Sequence, residues 1–161
     1  MKHLFTTLCL AALVSACSPS ETTSQANTTA MLSSVMTTNV SFDTVEANLR
    51  QALQKRDLKL FTVVDHGEGA KSVGMDIGQS KLFIFGNPQS GTPLLMESRE
   101  MGLELPMKIL IFTNEQGEIA LQRTDIKALA DQYSLTDQDE RIQKIDTTLK
   151  AISDEAISTS Q

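Results

Sequence analysis

His66 stands between Asp65 and, two residues on, Glu68. A histidine beside carboxylates has the composition of a general base or a metal ligand. Adjacent residues seldom face one site, and zinc ordinarily takes more than one nitrogen or sulfur ligand. Asp65 also suits the N-cap of a helix. Capping, ligand binding and catalysis therefore stand as three readings of Asp65 and His66. A second candidate is Gly86-Asn87-Pro88-Gln89-Ser90-Gly91-Thr92-Pro93, a strand–turn–helix junction. Backbone N–H groups at a helix start attract anions. The Gly-Lys-Ser/Thr of a P-loop is missing, as is Gly-x-Gly-x-x-Gly. Ser90 is not in a Gly-x-Ser-x-Gly elbow, so a serine nucleophile is not indicated. Met31, Met36, Met75, Met96, Met101 and Met107 show no close Met-x-x-Met cluster, and core filling explains them better than copper.

Cys17 carries a different chemistry. Met1-Lys2-His3 gives a positive start, and Leu4 to Val14 is a mostly apolar run too short to span a bilayer. Small residues then precede the cysteine in Leu13-Val14-Ser15-Ala16-Cys17. This is the pattern of a secretory signal, and its end resembles a bacterial lipobox. The resemblance implies a diacylglyceryl group on the Cys17 thiol, cleavage before it and acylation of the new amine. Residues 1–16 are then a lipoprotein signal peptide, and the membrane is a partner through lipid on Cys17. Ser18, not aspartate, follows; by analogy with enteric sorting this points to the outer membrane, facing the periplasm.

Composition narrows the function. The chain carries 14 basic and 20 acidic side chains, a net charge of −6, and losing Lys2 with the signal makes it −7. Such a balance repels phosphate backbones, so nucleic acid is not an expected partner. Six Phe, one Tyr and no Trp are thin material for base stacking. Cys9 leaves with the signal and Cys17 is alkylated, so thiol nucleophiles, thiolate metal sites and thioether haem attachment are excluded. No cofactor and no metal is expected.

Residues 17–30 form a lipid-anchored, Ser- and Thr-rich tether, expected to be disordered, with a mean span of roughly 20 Å. The folded α+β domain is expected over 31–135, with a further helix in 136–161. Leu32 to Val40 reads as a strand. Ser41 or Asp43 can cap a helix over 43–56, whose Phe42, Val45, Leu49 and Leu53 recur at helical spacing. Leu58 to Val64 is a strand, and Asp65 to Met75 a short, glycine-weakened helix. Lys81 to Phe85 is apolar on both faces, as in a central strand. Thr92-Pro93 predicts a helix over 93–99. Strands follow from Leu105 to Phe112 and from Glu118 to Arg123, joined by the Asn114–Gly117 turn. A short helix spans Asp125 to Tyr133. A longer one begins at an Asp137/Glu140 capping box. Its Ile142, Ile145, Leu149, Ile152 and Ala156 make a heptad stripe. That stripe is either packed on the chain's own sheet, the preferred reading, or the seam of a homodimer.

With these elements placed, the chain resembles the family called domain of unknown function 302 over roughly residues 32–135. Val64-Asp65-His66, then Leu82 to Leu94 with its Phe-Gly-Asn-Pro-x-x-Gly-Thr-Pro block, then Leu103-Glu104-Leu105-Pro106-Met107-Lys108 carry the resemblance. It implies a TATA-binding-protein-like α+β fold, a curved antiparallel sheet with helices packed against it, and no assigned activity. Relatives often have Tyr-Asn-Asp-Pro where this chain has Arg123-Thr124-Asp125-Ile126, a second His at Tyr133 and Met at Leu95. A family site built on that Tyr or second His would be lost here. Asp65, His66, Asn87 and Lys108 survive as candidate ligand-binding residues, and the motif blocks are expected to converge near His66 and Asn87. The expected function is a non-catalytic envelope lipoprotein binding a small ligand or a partner. The alternative is an enzyme or metal-binding module using His66.

Overall fold

The computed structural model describes residues 35–159. The signal, the tether with Cys17 and the first residues of the expected domain lie outside the described residues. Strand β1 is Met36–Thr38, followed by helix α1 (Phe42–Gln54), β2 (Lys59–Asp65), α2 (His66–Ser72) and β3 (Ser80–Gly86). Then come α3 (Pro88–Glu97), a 3-10 turn (Arg99–Leu103), β4 (Met107–Thr113), β5 (Ile119–Arg123), α4 (Ile126–Gln132) and α5 (Asp139–Ile157). The strands form one antiparallel sheet in the order β1-β5-β4-β3-β2. The architecture is the expected α+β one, with a C-terminal helix.

Local chemistry sets the element ends. The Ser41 hydroxyl caps α1, accepting from the Thr44 amide at 3.3 Å. Asp125 caps α4 through the Lys127 and Ala128 amides at 3.0 and 3.1 Å. The β4–β5 turn is closed by Asn114, whose Oδ1 accepts from the Gln116 and Glu118 amides at 3.0 and 2.8 Å. Gly67 in α2 must be glycine, because a Cβ there would meet the Gly78 carbonyl at 2.7 Å.

Side chains alternate across the sheet. Phe83 and Phe85 of β3, Ile109 and Ile111 of β4 and Leu121 of β5 point to one face and are buried. Val45, Leu49 and Leu53 of α1 and Leu149 and Ile152 of α5 complete that core. Within the heptad stripe Ile142, Leu149, Ile152 and Ala156 are buried and Ile145 is partly buried. The stripe thus packs within the chain, as in the preferred reading.

The expected capping box of α5 does not form. The helix starts at Asp139, and Gln138 makes no side-chain cap bond. Glu97, at the end of α3, instead accepts the Thr136 and Asp137 amides at 2.7 and 3.2 Å. A long-range partner outcompetes the local one.

Two carboxylates tie helices to the sheet. Asp146 of α5 lies 3.0 Å from both Arg123 and Lys127. Glu46 of α1 lies 2.7 Å from Arg50 and 2.8 Å from Lys81. Burial pushes both carboxyls up, but the cations beside them outweigh it and hold both below their ordinary value. A depressed folded value gives stability that is complete above the unfolded value near pH 4 and is lost as pH falls through the folded one. The melting temperature is therefore expected to be level from about pH 5 to 7 and to drop below about pH 4. Asp146→Asn should lower stability at pH 7 by about 2 kcal/mol and shrink the acid-side drop. Thermal melts of both chains across pH test this; an unchanged acid limb in the variant would refute it.

Candidate functional site

The Gly86–Pro93 block folds differently from the sequence expectation, and the difference builds the site. Helix α3 starts at Pro88, not at Pro93. Asn87 is its N-cap, with Oδ1 accepting from the Gln89 amide at 2.8 Å, and Pro88 fills the first position, where no N–H is needed. Asn87-Pro88 and Thr92-Pro93 are both cap–proline pairs, and the first one takes the helix. Pro93 then falls inside it. Lacking an N–H, it cannot bond the carbonyl four residues back, which is that of Gln89. Arg141 of α5 donates to that carbonyl at 3.4 Å.

Helices α3 and α5 are thus bridged twice, by Arg141 to Gln89 and by Glu97 to the Thr136–Asp137 backbone. Between them and the end of the sheet lies an open cleft of about 1220 Å³. Phe85, Leu94, Leu105, Pro106, Ile145 and Leu149 give it an apolar lining. Ser90, Thr92, Gln138, Arg141, Lys144 and Arg56 supply polar and charged groups. The volume sits slightly above the usual range for small-molecule pockets, roughly 300–1,000 Å³. The cleft can therefore take an elongated, partly apolar molecule held by a few polar contacts. Of the candidate residues Asp65, His66, Asn87 and Lys108, Asn87 borders it. Arg141, Lys144 and Ile145 were missed by sequence reasoning. Pro93 was a signal for Arg141, since it leaves a carbonyl in need of a donor.

His66 lies elsewhere. Asp65 pairs with Lys81 at one end of the β2–β3 hairpin, and Lys59 pairs with Gly86 at the other. At about 3.3 Å per residue the two ends are about 20 Å apart. His66 and Asn87 therefore do not converge. His66 is exposed at the start of α2. Its neighbouring carboxylates are engaged: Asp65 caps α2 through the Glu68 amide at 2.8 Å and approaches Lys81 at 3.9 Å, while Glu68 pairs with Lys71 at 2.8 Å. Among the described residues no three His, Cys, Asp or Glu side chains group as a metal site.

Lys108 is in a third place. Its amide donates to the Thr124 hydroxyl at 3.1 Å, and its Nζ donates to the Glu104 carbonyl at 2.6 Å. The Tyr133 hydroxyl donates to the Glu104 carboxylate at 3.4 Å. Of the positions expected to depart from the family pattern, Thr124 lies beside Lys108 and Tyr133 reaches Glu104, whereas Leu95 lines the cleft and Arg123 pairs with Asp146.

A five-stranded antiparallel sheet with its long helices on one face and a cleft at one end defines a small two-layer α+β domain. Residues 34–154 match the family described as Domain of unknown function DUF302, and the chain belongs to that family. A crystal structure of an uncharacterized conserved DUF302 protein from Bacillus stearothermophilus has the same fold, with a TM-score of 0.69 and 17% identity over 76% of this chain and 96% of that one. The chain is also similar to proteins named Fluoride-specific ion channel FluC 1 from Brucella suis and Brucella abortus. It is 42% identical to each over 78 residues, which is 48% of this chain but only 31% and 29% of those proteins. The match spans less than a third of the length of these curated relatives. No helix among the described residues is long and apolar enough to cross a membrane.

Proposed function

We propose that this protein is an envelope lipoprotein, anchored through Cys17, whose DUF302 domain binds an elongated, partly apolar small ligand in the α3–α5 cleft without transforming it. The observation that carries this is the cleft itself, walled by the Asn87–Thr92 segment and bridged by Arg141 and Glu97. Commitment of Asp65 and Glu68 to capping and to Lys71 favours binding over general-base chemistry at His66. The likeness to proteins named as fluoride channels supports a post beside a membrane. Conduction needs a membrane-crossing path, and the described residues hold no helix fit for one, so this reading takes the location and not the transport activity.

The test uses N-phenylnaphthylamine, an apolar amine whose fluorescence rises on leaving water. The wild type should bind it saturably. Ile145→Trp, which fills the cleft from α5, should weaken that binding at least about tenfold while leaving a cooperative melt. Loss of a few apolar contacts and of the space for the probe exceeds the roughly 1.4 kcal/mol that a factor of ten requires. Undiminished binding by Ile145→Trp would remove the cleft as the site.

A further inference from the structure

The face of the sheet opposite α1 and α5 is apolar, and no described element covers it. Leu82 and Ile84 of β3 and Leu110 and Phe112 of β4 alternate with the core residues of their strands. Each is partly exposed, and none belongs to the buried core or packs against it. The register places Val64, Leu82 and Leu110 side by side in one row, with Gln122 after them. Ile84 and Phe112 flank that row along the strands, and Val64 at the edge is 39% exposed. An antiparallel sheet with one face in water carries polar side chains on that face. Here the central strands carry large apolar ones, the mark of a surface covered by something else.

We infer that a second copy of this chain covers it, the two sheets packing face to face about a twofold axis. Three observations favour that occupant. The residues at the outward register positions of β2 to β5 include no carboxylate, although the chain has a net charge of −6. Two acidic molecules can therefore meet there without carboxylates opposing each other. Two cations stand at those positions: Lys108 is held by the Glu104 carbonyl, and Lys59, at the end of the edge strand, lies 5.3 Å from the Phe61 ring centroid. The expected tether, residues 18–30, contains no large apolar side chain to serve as a cover. The size is adequate. Strands about 4.8 Å apart and about 20 Å long give a footprint of about 400–500 Å² per copy. Side-chain relief raises the accessible area to the lower range of stable dimers, near about 1,200 Å² in total. Aligned sheets pack about 10 Å apart with side chains interdigitated, and a twofold axis makes one apolar patch its own complement.

The full chain, purified in a mild detergent, is weighed by analytical ultracentrifugation with the detergent density-matched. The wild type is expected to be dimeric at about 50 µM, and Leu110→Glu to self-associate at least about 100-fold more weakly, because a buried unpaired charge is placed near the dyad. As a measurement that needs no variant, mixed labelled and unlabelled wild type should give intermolecular methyl contacts at Leu82, Ile84 and Leu110. A monomeric wild type without such contacts overturns the inference. So does a Leu110→Glu dimer as tight as the wild type. Binding of the wild type to phosphatidylcholine vesicles that Leu110→Glu abolishes, with no dimer seen, assigns the face to a membrane and overturns the second copy.

Discussion

Cells expressing the Cys17→Ala chain are expected to incorporate no fatty-acid label into it, whereas the wild type is labelled and fractionates with the membrane. On the proposed lipoprotein reading the effect is all-or-none, because Cys17 alone would accept the diacylglyceryl group. Each buried methylene contributes about 0.8 kcal/mol, so a single chain binds marginally and several chains hold the protein firmly. Nothing described in the fold replaces them: no helix of residues 35–159 is long and apolar enough to span a bilayer, and a net charge of −6 repels anionic head groups. The readout is the label, not fractionation alone, since a variant that keeps its uncleaved apolar signal can be tethered by it. A wild type that takes up no label would remove the lipoprotein reading and leave the cleft untouched.

Phe83→Ala should be the most damaging core substitution, with a loss of about 3–5 kcal/mol. For a domain of this size that corresponds to a melting temperature lower by about 15 °C. Phe83 lies at the centre of β3, in register with Val63 on one side and Ile109 on the other, and is 0% exposed. The Arg50 guanidinium sits 5.3 Å from its ring centroid. Truncation leaves a void between the sheet and α1 that rigid neighbouring strands cannot close. Calorimetry of the purified variant measures the loss, and a shift under about 5 °C would show that α1 and α5 collapse into the space.

Most elements were legible because their periods are local facts. The 3.6-residue recurrence of Phe42, Val45, Leu49 and Leu53 specifies a buried helix face, and the continuous apolar run Leu82–Phe85, stopped by Gly86-Asn87-Pro88, specifies a strand. Caps were less secure, because two segments can offer the same signal. Thr92-Pro93 reads as the helix start, but the earlier cap–proline pair Asn87-Pro88 takes the helix, and Pro93 inside it leaves the Gln89 carbonyl to a side-chain donor. That donor is Arg141, far along the chain. The Asp137 cap lost to Glu97 for the same kind of reason.

The candidate site was legible only in part. Asn87 borders the cleft, but its pairing with His66 fails on topology. Each residue follows the end of a strand, β3 for Asn87 and β2 for His66, and neighbouring antiparallel strands terminate at opposite ends of their pairing. The facing wall of the cleft comes from α5, and no spacing within the Asn87–Pro93 block encodes which helix will lie across from it.

By itself the sequence determined composition, charge, the family and the α+β order of elements. All of these rest on residue identity or on neighbours within a turn or two, where the backbone dictates geometry. The tertiary structure decided which apolar faces are spent and which remain. It turned the heptad stripe of α5 inward against α1, left Leu82, Ile84, Leu110 and Phe112 partly exposed on the other face, and set α5 across from the Asn87 segment. Those outcomes depend on which surface each element meets, and that is settled by packing the whole chain at once, not by any stretch of it alone.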